Sequence, residues 1–308
     1  MKSNKKCSLF PYEMKEITSI QDVKQKFGWS ITSFDLPSAW KKTRGEGVKI
    51  GVIDTGCDLD HPDLKQNILQ GKNFINPKND PWDDNKHGTH VSGIIAAENN
   101  EIGVVGIAPK AKIVPIKVLD KYGNGNLVDV AKGIRWAVDE AKVDLICMSL
   151  GAPNPVQEVR KAIQYAISKK ATCFVAAGNA GRTKKIFFPA NYPETIAIGS
   201  IDKSFNRSKF SNTGENLDFM APGSQILSTV PDNWYAILDG TSMATPFAAG
   251  IAALYLSYVK NNNVNIKLEG PEDYMREFKK HTFSVSDGKI GDKFYQGFGI
   301  IDVKSLFE

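Results

Sequence analysis

The sequence predicts an α/β fold, a mostly parallel central sheet with helices on both faces. Three observations carry this. Short β-rich runs alternate with segments whose apolar residues recur at helical period along most of the chain. A 308-residue chain that is 42% hydrophobic can enclose such a sheet without disulfide staples. No internal repeat or low-complexity tract points to a solenoid or to disorder.

The elements follow in order. Residues 1–27 form a polar, Lys-rich extension ahead of the first strand, and 28–308 form the domain proper. Val48–Ile53 is the first strand and ends at Asp54-Thr55-Gly56. Ala111–Leu119 is the next, closed by a Gly/Asn turn over 122–126. Asn126 suits a helix N-cap, with Asp129 at capping-box spacing. Val130, Ile134, Ala137, Val138 and Ala141 continue that helix. Val143–Leu150 is a strand, and Val159, Ala162, Ile163, Ala166 and Ile167 mark a second helix. Thr172–Ala177 and Thr195–Ile201 are further strands. Strands joined by crossover helices give a parallel sheet whose functional groups gather at the strands' carboxyl ends. That edge holds Asp54, Ser149-Leu150-Gly151 and Gly178-Asn179.

Composition excludes several classes. Thirty-nine basic against 34 acidic residues leave +5, carried by scattered pairs such as Lys41–Lys42 and Lys184–Lys185. No nucleic-acid motif accompanies them. The richest apolar stretch, Phe247 to Val259, is shorter than a membrane span and broken by Gly250 and Ser257. No apolar segment follows the N-terminal lysines, so a secretory leader is not expected. Cys7, Cys57, Cys147 and Cys173 lack CxxC spacing; they read as reduced thiols in a cytoplasmic protein.

Four short segments carry chemistry together. Asp54 ends a strand, His87 opens His87-Gly88-Thr89-His90, Asn179 ends Ala176-Ala177-Gly178-Asn179, and Ser242 lies in Gly240-Thr241-Ser242-Met243. A serine hydroxyl needs an adjacent base to attack at neutral pH. Imidazole can take that proton, and a buried carboxylate fixes its tautomer. A helix beginning near Met243 would turn backbone N–H groups toward a developing oxyanion, with the Asn179 amide as second donor. His87 and His90 lack the glutamate of HExxH and a third ligand, so zinc is not supported.

These segments, in this order, resemble the subtilisin-like serine proteases, from about Gly28 through Gly297-Phe298-Gly299-Ile300-Ile301-Asp302-Val303. The resemblance implies a three-layer fold, an Asp54–His87–Ser242 triad, Asn179 as oxyanion donor and a structural His90. Phe247 stands where many relatives carry a histidine, at a position that is not catalytic. The resemblance sets Gly123, Asn124 and Gly125 on one side of an extended peptide and Ser149, Leu150 and Gly151 on the other. Leu127 and Leu150 line an apolar pocket; Ala176 and Gly178 complete the substrate-binding set. Ala152 replaces a frequent glycine, and Phe187 lies at the pocket floor, turned either into the pocket or into the core.

The resemblance also implies calcium (Ca2+), held by the Asp63 carboxylate, the Asn100 side chain and the carbonyls of Glu98, Ile102 and Val104. The carbonyls of Ala190, Tyr192 and Thr195 resemble a second, weaker cation site. Leu9-Phe10-Pro11-Tyr12 is similar to the segment that intracellular subtilisins lay across their own active site. Proline, with a fixed φ and no N–H, suits a strand that occupies a cleft without being cut. The expected function is therefore a cytoplasmic serine endopeptidase acting on proteins or peptides, made as a precursor blocked in cis by its own N-terminus. Intracellular relatives are often homodimers. Other readings are a leader-peptide-processing subtilase with one dedicated substrate and a non-catalytic binding module of the same fold. A nucleotide-binding protein is not supported, because Gly123-Asn124-Gly125 lacks the third glycine of the dinucleotide fingerprint.

Overall fold

A computed structural model describes residues 5–19, 24–181 and 185–308. Residues 1–4 and 20–23 of the expected extension, and Lys184, lie outside them. The strands are β1 (Lys6–Leu9), β2 (Glu13–Ser19), β3 (Lys49–Asp54), β4 (Lys72–Asn73), β5 (Lys112–Lys117), β6 (Asn124–Asn126), β7 (Leu145–Met148), β8 (Leu150–Gly151), β9 (Thr172–Ala176), β10 (Ile196–Ile201), β11 (Phe219–Pro222), β12 (Ile226–Val230), β13 (Trp234–Asp239), β14 (Thr282–Phe283) and β15 (Ile300–Ile301). The helices that matter below are α1 (Trp29–Ser33), α2 (Leu36–Ala39), α3 (His87–Ala96), α4 (Leu127–Asp139), α5 (Gln157–Ser168) and α6 (Thr241–Asn261).

Among the described residues, nine strands form the central sheet in the order β14-β15-β11-β10-β9-β7-β3-β5-β4, parallel except for the β14–β15 pair. Strands β7, β9 and β10 are buried at every residue, because helices cover both faces and leave no solvent side to alternate with. Helices α3 and α6 pack on each other and on the sheet, as do α4 and α5. Asn126 caps α4 as expected, its side chain accepting from the Val128 N–H. Two later strands flank β3, β5 on one side and β7 on the other. The sheet therefore reverses its winding at β3, and the crevice at such a switch point opens beside Asp54.

Helix α6 departs from the expected boundary. It begins at Thr241, so Ser242 sits in its first turn rather than before it. Its 21 residues are also long and apolar enough, by composition, to cross a membrane. Here nearly all of the helix is buried, packed among α3 and the sheet strands β7, β9, β10 and β11, so its apolarity serves the core. All four cysteines are buried free thiols.

Two three-stranded sheets flank the crevice. β1 lies antiparallel between β6 and β8, and β2 lies antiparallel on β13, which pairs with β12 on its other edge. The segment that was expected to be an extension thus enters both small sheets. Residues 24–26 bridge Ile102 and Val104, tying the chain to the 98–104 loop before the first helix begins.

Candidate active site

Asp54 ends β3 and is fully buried. His87 opens α3, and its Nδ1 lies 2.8 and 3.0 Å from the two Asp54 carboxylate oxygens. Gly88 makes this approach possible: a Cβ there would come within 2.1 Å of the Gly56 carbonyl. Gly56 itself sits at φ +108°, a conformation side chains rarely adopt. With Nδ1–H donating to Asp54, the other ring nitrogen, Nε2, is a lone-pair acceptor. Nε2 is buried and has no hydrogen-bond partner among the described residues.

The N-terminus of α3 is held by a group the sequence reasoning missed. Asp83 Oδ1 accepts from the Thr55 hydroxyl at 2.8 Å and from the Asn85 and Lys86 N–H groups at 3.0 Å each. Its Oδ2 accepts from the Thr89 N–H at 2.9 Å and the Thr89 hydroxyl at 2.6 Å. Thr55 in turn accepts from the Gly88 N–H. One buried carboxylate therefore locks the His87 turn to the end of β3. An aspartate just upstream of a helix start was the available signal.

Ser242 is fully buried. Its hydroxyl donates to the Ser149 carbonyl at 3.2 Å, and the Ser149 hydroxyl donates back to the Ser242 carbonyl at 3.0 Å. The structure makes the aspartate–histidine link of the expected relay, while the serine hydroxyl is turned to Ser149. Asn179 is oriented by Thr241, whose N–H and hydroxyl donate to its Oδ1 at 2.9 and 2.7 Å. The amide nitrogen must then face the crevice, where it donates to the Pro11 carbonyl at 2.9 Å. Tyr12, the next residue, places its ring 5.3 Å from that of His87. Two consecutive residues of one segment thus touch Asn179 and His87, and so join the groups that the sequence proposed.

Upstream of Pro11 the segment runs as a strand between the two expected rims. Ser8 is opposite Asn124 on one side and Gly151 on the other, Cys7 is opposite Gly125, and Leu9 is opposite Leu150. The Leu9 N–H donates to the Gly123 carbonyl at 2.9 Å, and the Leu127 N–H to the Lys5 carbonyl at 2.7 Å. Gly123 and Gly151 are open for a reason. A Cβ on Gly123 would meet the Leu9 side chain at 2.8 Å, and one on Gly151 would meet Phe10 at 2.4 Å. Phe10 is 5% exposed, and its ring lies 5.5 Å from Phe187. A Cβ on Gly178 would come within 2.5 Å of the Phe187 ring, so that ring lies against both Gly178 and Phe10. Ala152 pairs with Phe188 through two backbone hydrogen bonds. Ala176 is buried at the end of β9, two residues before Gly178.

His90, one turn along α3, points away into the fold. Its Nε2 lies 3.1 Å from the Ile226 carbonyl and 3.0 Å from the Ala236 carbonyl. Burial above all holds its pKa down to about 3; the Ala236 contact opposes this and nearby His87 adds to it. The native state therefore binds fewer protons than the unfolded chain between about pH 3 and the unfolded value of about 6.5. The stability this neutral imidazole supports is complete above that window and is lost as pH falls through it. Urea midpoints at pH 7 and 4.5 are expected to differ more for the wild type than for His90→Gln, with a limiting slope of about 1.4 kcal/mol per pH unit.

The loop expected to bind calcium converges on oxygen donors. Asp63 Oδ2 accepts from the Val104 N–H at 2.8 Å and the Tyr235 hydroxyl at 2.9 Å. The Asn100 amide donates to Asp63 Oδ1 at 3.1 Å. Gln25, from the N-terminal segment, joins the same loop. Its amide nitrogen lies 2.7 Å from the Glu98 carbonyl and 3.0 Å from that of Val104. Ile102, the remaining expected ligand, pairs with Lys24 on the same loop. A half-turn of the Gln25 amide would set an oxygen in place of its nitrogen beside those carbonyls. At the second expected site, the Ala190 and Tyr192 carbonyls, with that of Pro189, accept from the Thr195 hydroxyl.

Comparison with known proteins identifies the family. The Subtilase family model matches residues 45–299. The chain is 42% identical over 285 residues to an intracellular serine protease of Paenibacillus polymyxa, covering 90% of this chain and 86% of that protein. It is 42% identical over 265 residues to the major intracellular serine protease of Bacillus subtilis (strain 168), covering 83% and 82%. Against subtilisin E of Bacillus subtilis (strain 168) it is 41% identical over 268 residues, 85% of this chain and 66% of that protein. The family match spans most of the sheet and the segments holding Asp54, His87, Asn179 and Ser242, and on that ground the chain belongs to the subtilase family of serine endopeptidases.

Proposed function

We propose that this subtilase is an intracellular endopeptidase that works through Asp54, His87 and Ser242 with Asn179 as oxyanion donor. On this reading it is stabilised by calcium and made as a precursor blocked by its own residues 5–19. One observation carries the reading. A peptide carbonyl, that of Pro11, rests on the Thr241-oriented Asn179 amide at the end of a strand threaded between β6 and β8. A crevice that pairs with backbone on both sides and meets a carbonyl with a fixed amide is built for polypeptide.

The chemistry follows from these atoms. The Ser242 hydroxyl leaves the Ser149 carbonyl and gives its proton to His87 Nε2 as its oxygen attacks the substrate carbonyl carbon. The Asp54 carboxylate stabilises the resulting imidazolium through Nδ1–H. The carbonyl oxygen takes up the charge and is held by the Asn179 amide and by N–H groups in the first turn of α6. Collapse breaks the C–N bond, and His87 returns its proton to the leaving amine. Water, deprotonated by the same Nε2, then attacks the acyl carbon, the C–O bond to Ser242 breaks, and His87 returns the proton to the Ser242 oxygen.

The blocking segment evades this sequence by being out of step. Phe10 fills the pocket between Gly151 and Phe187, yet the carbonyl on Asn179 belongs to Pro11. Tyr12 covers His87. Its burial, with Asp54 and Asp83 nearby, raises the phenol pKa, so the covering group stays neutral. The pairing of residues 24–26 with the 98–104 loop supports a removable segment that stops short of residue 24. Buried free thiols and relatives named as intracellular support a cytoplasmic setting.

Mapping new termini by mass spectrometry, after full-length protein meets calcium and a denatured protein, tests the whole reading. Many cuts in the denatured protein and loss of residues ahead of 24 are expected. A single required sequence among the cuts would point instead to a dedicated leader peptidase, and no cuts at all would overturn the reading. The calcium site, from Gln25, Asp63, Asn100 and the 98–104 carbonyls, would act by stabilising the native state. An ion held at 1,000 times its Kd adds about 4 kcal/mol. Excess chelator is expected to lower Tm by roughly 6 °C. Gln25→Ala is expected to reduce that drop; an unchanged Tm counts against the site.

A further inference from the structure

β2 does more than continue the block. It runs antiparallel along β13, from Glu13 opposite Asp239 to Ser19 opposite Trp234. The register shifts between Ile237 and Leu238: Met14 is opposite Leu238 and Glu16 opposite Ile237, so Lys15 is the extra residue of a bulge. Its ammonium group pairs with Oδ2 of Asp239. The other oxygen of that carboxylate accepts from the Gln225 N–H. The Asp239 side chain is only 7% exposed and lies three residues before Ser242, and no step of the mechanism uses it.

A carboxylate this buried, three residues ahead of Ser242, needs a reason, because burial without a cation is costly. Position supplies one. Since the Pro11 carbonyl rests on Asn179, residues 12–19 follow the track of a chain leaving the site on its C-terminal side. With β2 gone, the edge of β13 is a free row of backbone donors and acceptors, with β12 on its other side. Asp239 then stands beside that row, one oxygen fixed and the other turned to whatever lies there.

We propose that β13 binds substrate downstream of the cut bond by strand addition, and that Asp239 selects a lysine or arginine there, about four residues past the residue whose carbonyl meets Asn179. This rests on the reading of residues 5–19 as occupying the substrate track. Lys15 is then the chain's own imitation of that preferred side chain.

The test uses enzyme matured from the full chain and peptides identical up to the cut bond. Lys, Ala or Glu is placed in turn at the second to sixth downstream positions. Lysine is expected to exceed glutamate about fivefold in kcat/KM at or next to the fourth position, mostly through KM, as for a partly exposed ion pair. Asp239→Asn keeps an acceptor for the Gln225 N–H and is expected to bring the ratio close to one. Raised salt should shrink the wild-type ratio. Equal rates at every position, or a preference that survives Asp239→Asn, would overturn the proposal and leave Lys15–Asp239 a private latch. Failure to hydrolyse any of the peptides would overturn the protease reading itself.

Discussion

Ser242→Ala is expected to reduce kcat for peptide hydrolysis by about 10⁶-fold, a magnitude that belongs to subtilisins as a group, and to leave Tm within a few degrees of wild type. The two halves of this expectation come from the same geometry. The hydroxyl makes one 3.2 Å hydrogen bond, to the Ser149 carbonyl, so its loss costs about 1 kcal/mol. The reciprocal bond from Ser149 goes to the Ser242 backbone carbonyl and survives the substitution. Chemistry has no such reserve, because alanine offers no oxygen to attack the carbonyl carbon. Asn179→Ala should cost less, about 10²–10³-fold, since N–H groups of α6 still face the oxyanion. Full-length Ser242→Ala should also keep its N-terminus under conditions that mature the wild type. Turnover above one part in a thousand, or processing at the wild-type rate, would mean that another group attacks.

How much of this was legible in the sequence depends on the range of the interaction. β3, β5, β7, β9 and β10 fall within about two residues of their expected positions at most ends, because strands buried on both faces must be runs of apolar residues. The chemical segments were legible for a related reason: each sits at an element end, where one short motif sets both turn and side chain. Helix α3 was not expected. His87–Ala96 contains two glycines and several weak helix formers, and it is buried on all sides, so packing rather than propensity holds it. Helix α6 was expected to start later, because the Asn179 side chain that accepts from Thr241 N–H is 62 residues away. Gln25 and Asp239 were invisible for the same reason. Gln25 meets Glu98 across 73 residues, and Asp239 finds its cation only when β2 pairs with β13. That pairing is made by backbone, which Glu-Met-Lys-Glu-Ile-Thr-Ser does not advertise in its side chains.

Phe10→Ala is expected to raise the initial peptidase rate of unprocessed protein by about 30-fold or more and to shorten the lag before full activity. Phe10 is the most deeply buried side chain of the Leu9-Phe10-Pro11-Tyr12 block, and removing its ring forfeits about 2–3 kcal/mol of apolar burial. Contact with Phe187 adds about 0.5–1 kcal/mol. A loss of 2 kcal/mol multiplies the open fraction about 30-fold. The block should weaken without vanishing, because the backbone pairing of β1 with β6 and β8 does not depend on that ring. Leu9→Ala should act in the same direction and less, since Leu9 is only half-buried. The comparison has an internal control: once residues ahead of 24 are removed, wild type and Phe10→Ala are the same molecule and must share kcat/KM. A rate difference confined to the unprocessed protein therefore isolates the block from any effect on the catalytic groups. Equal lags and equal initial rates would mean that the segment rests in the crevice without governing it.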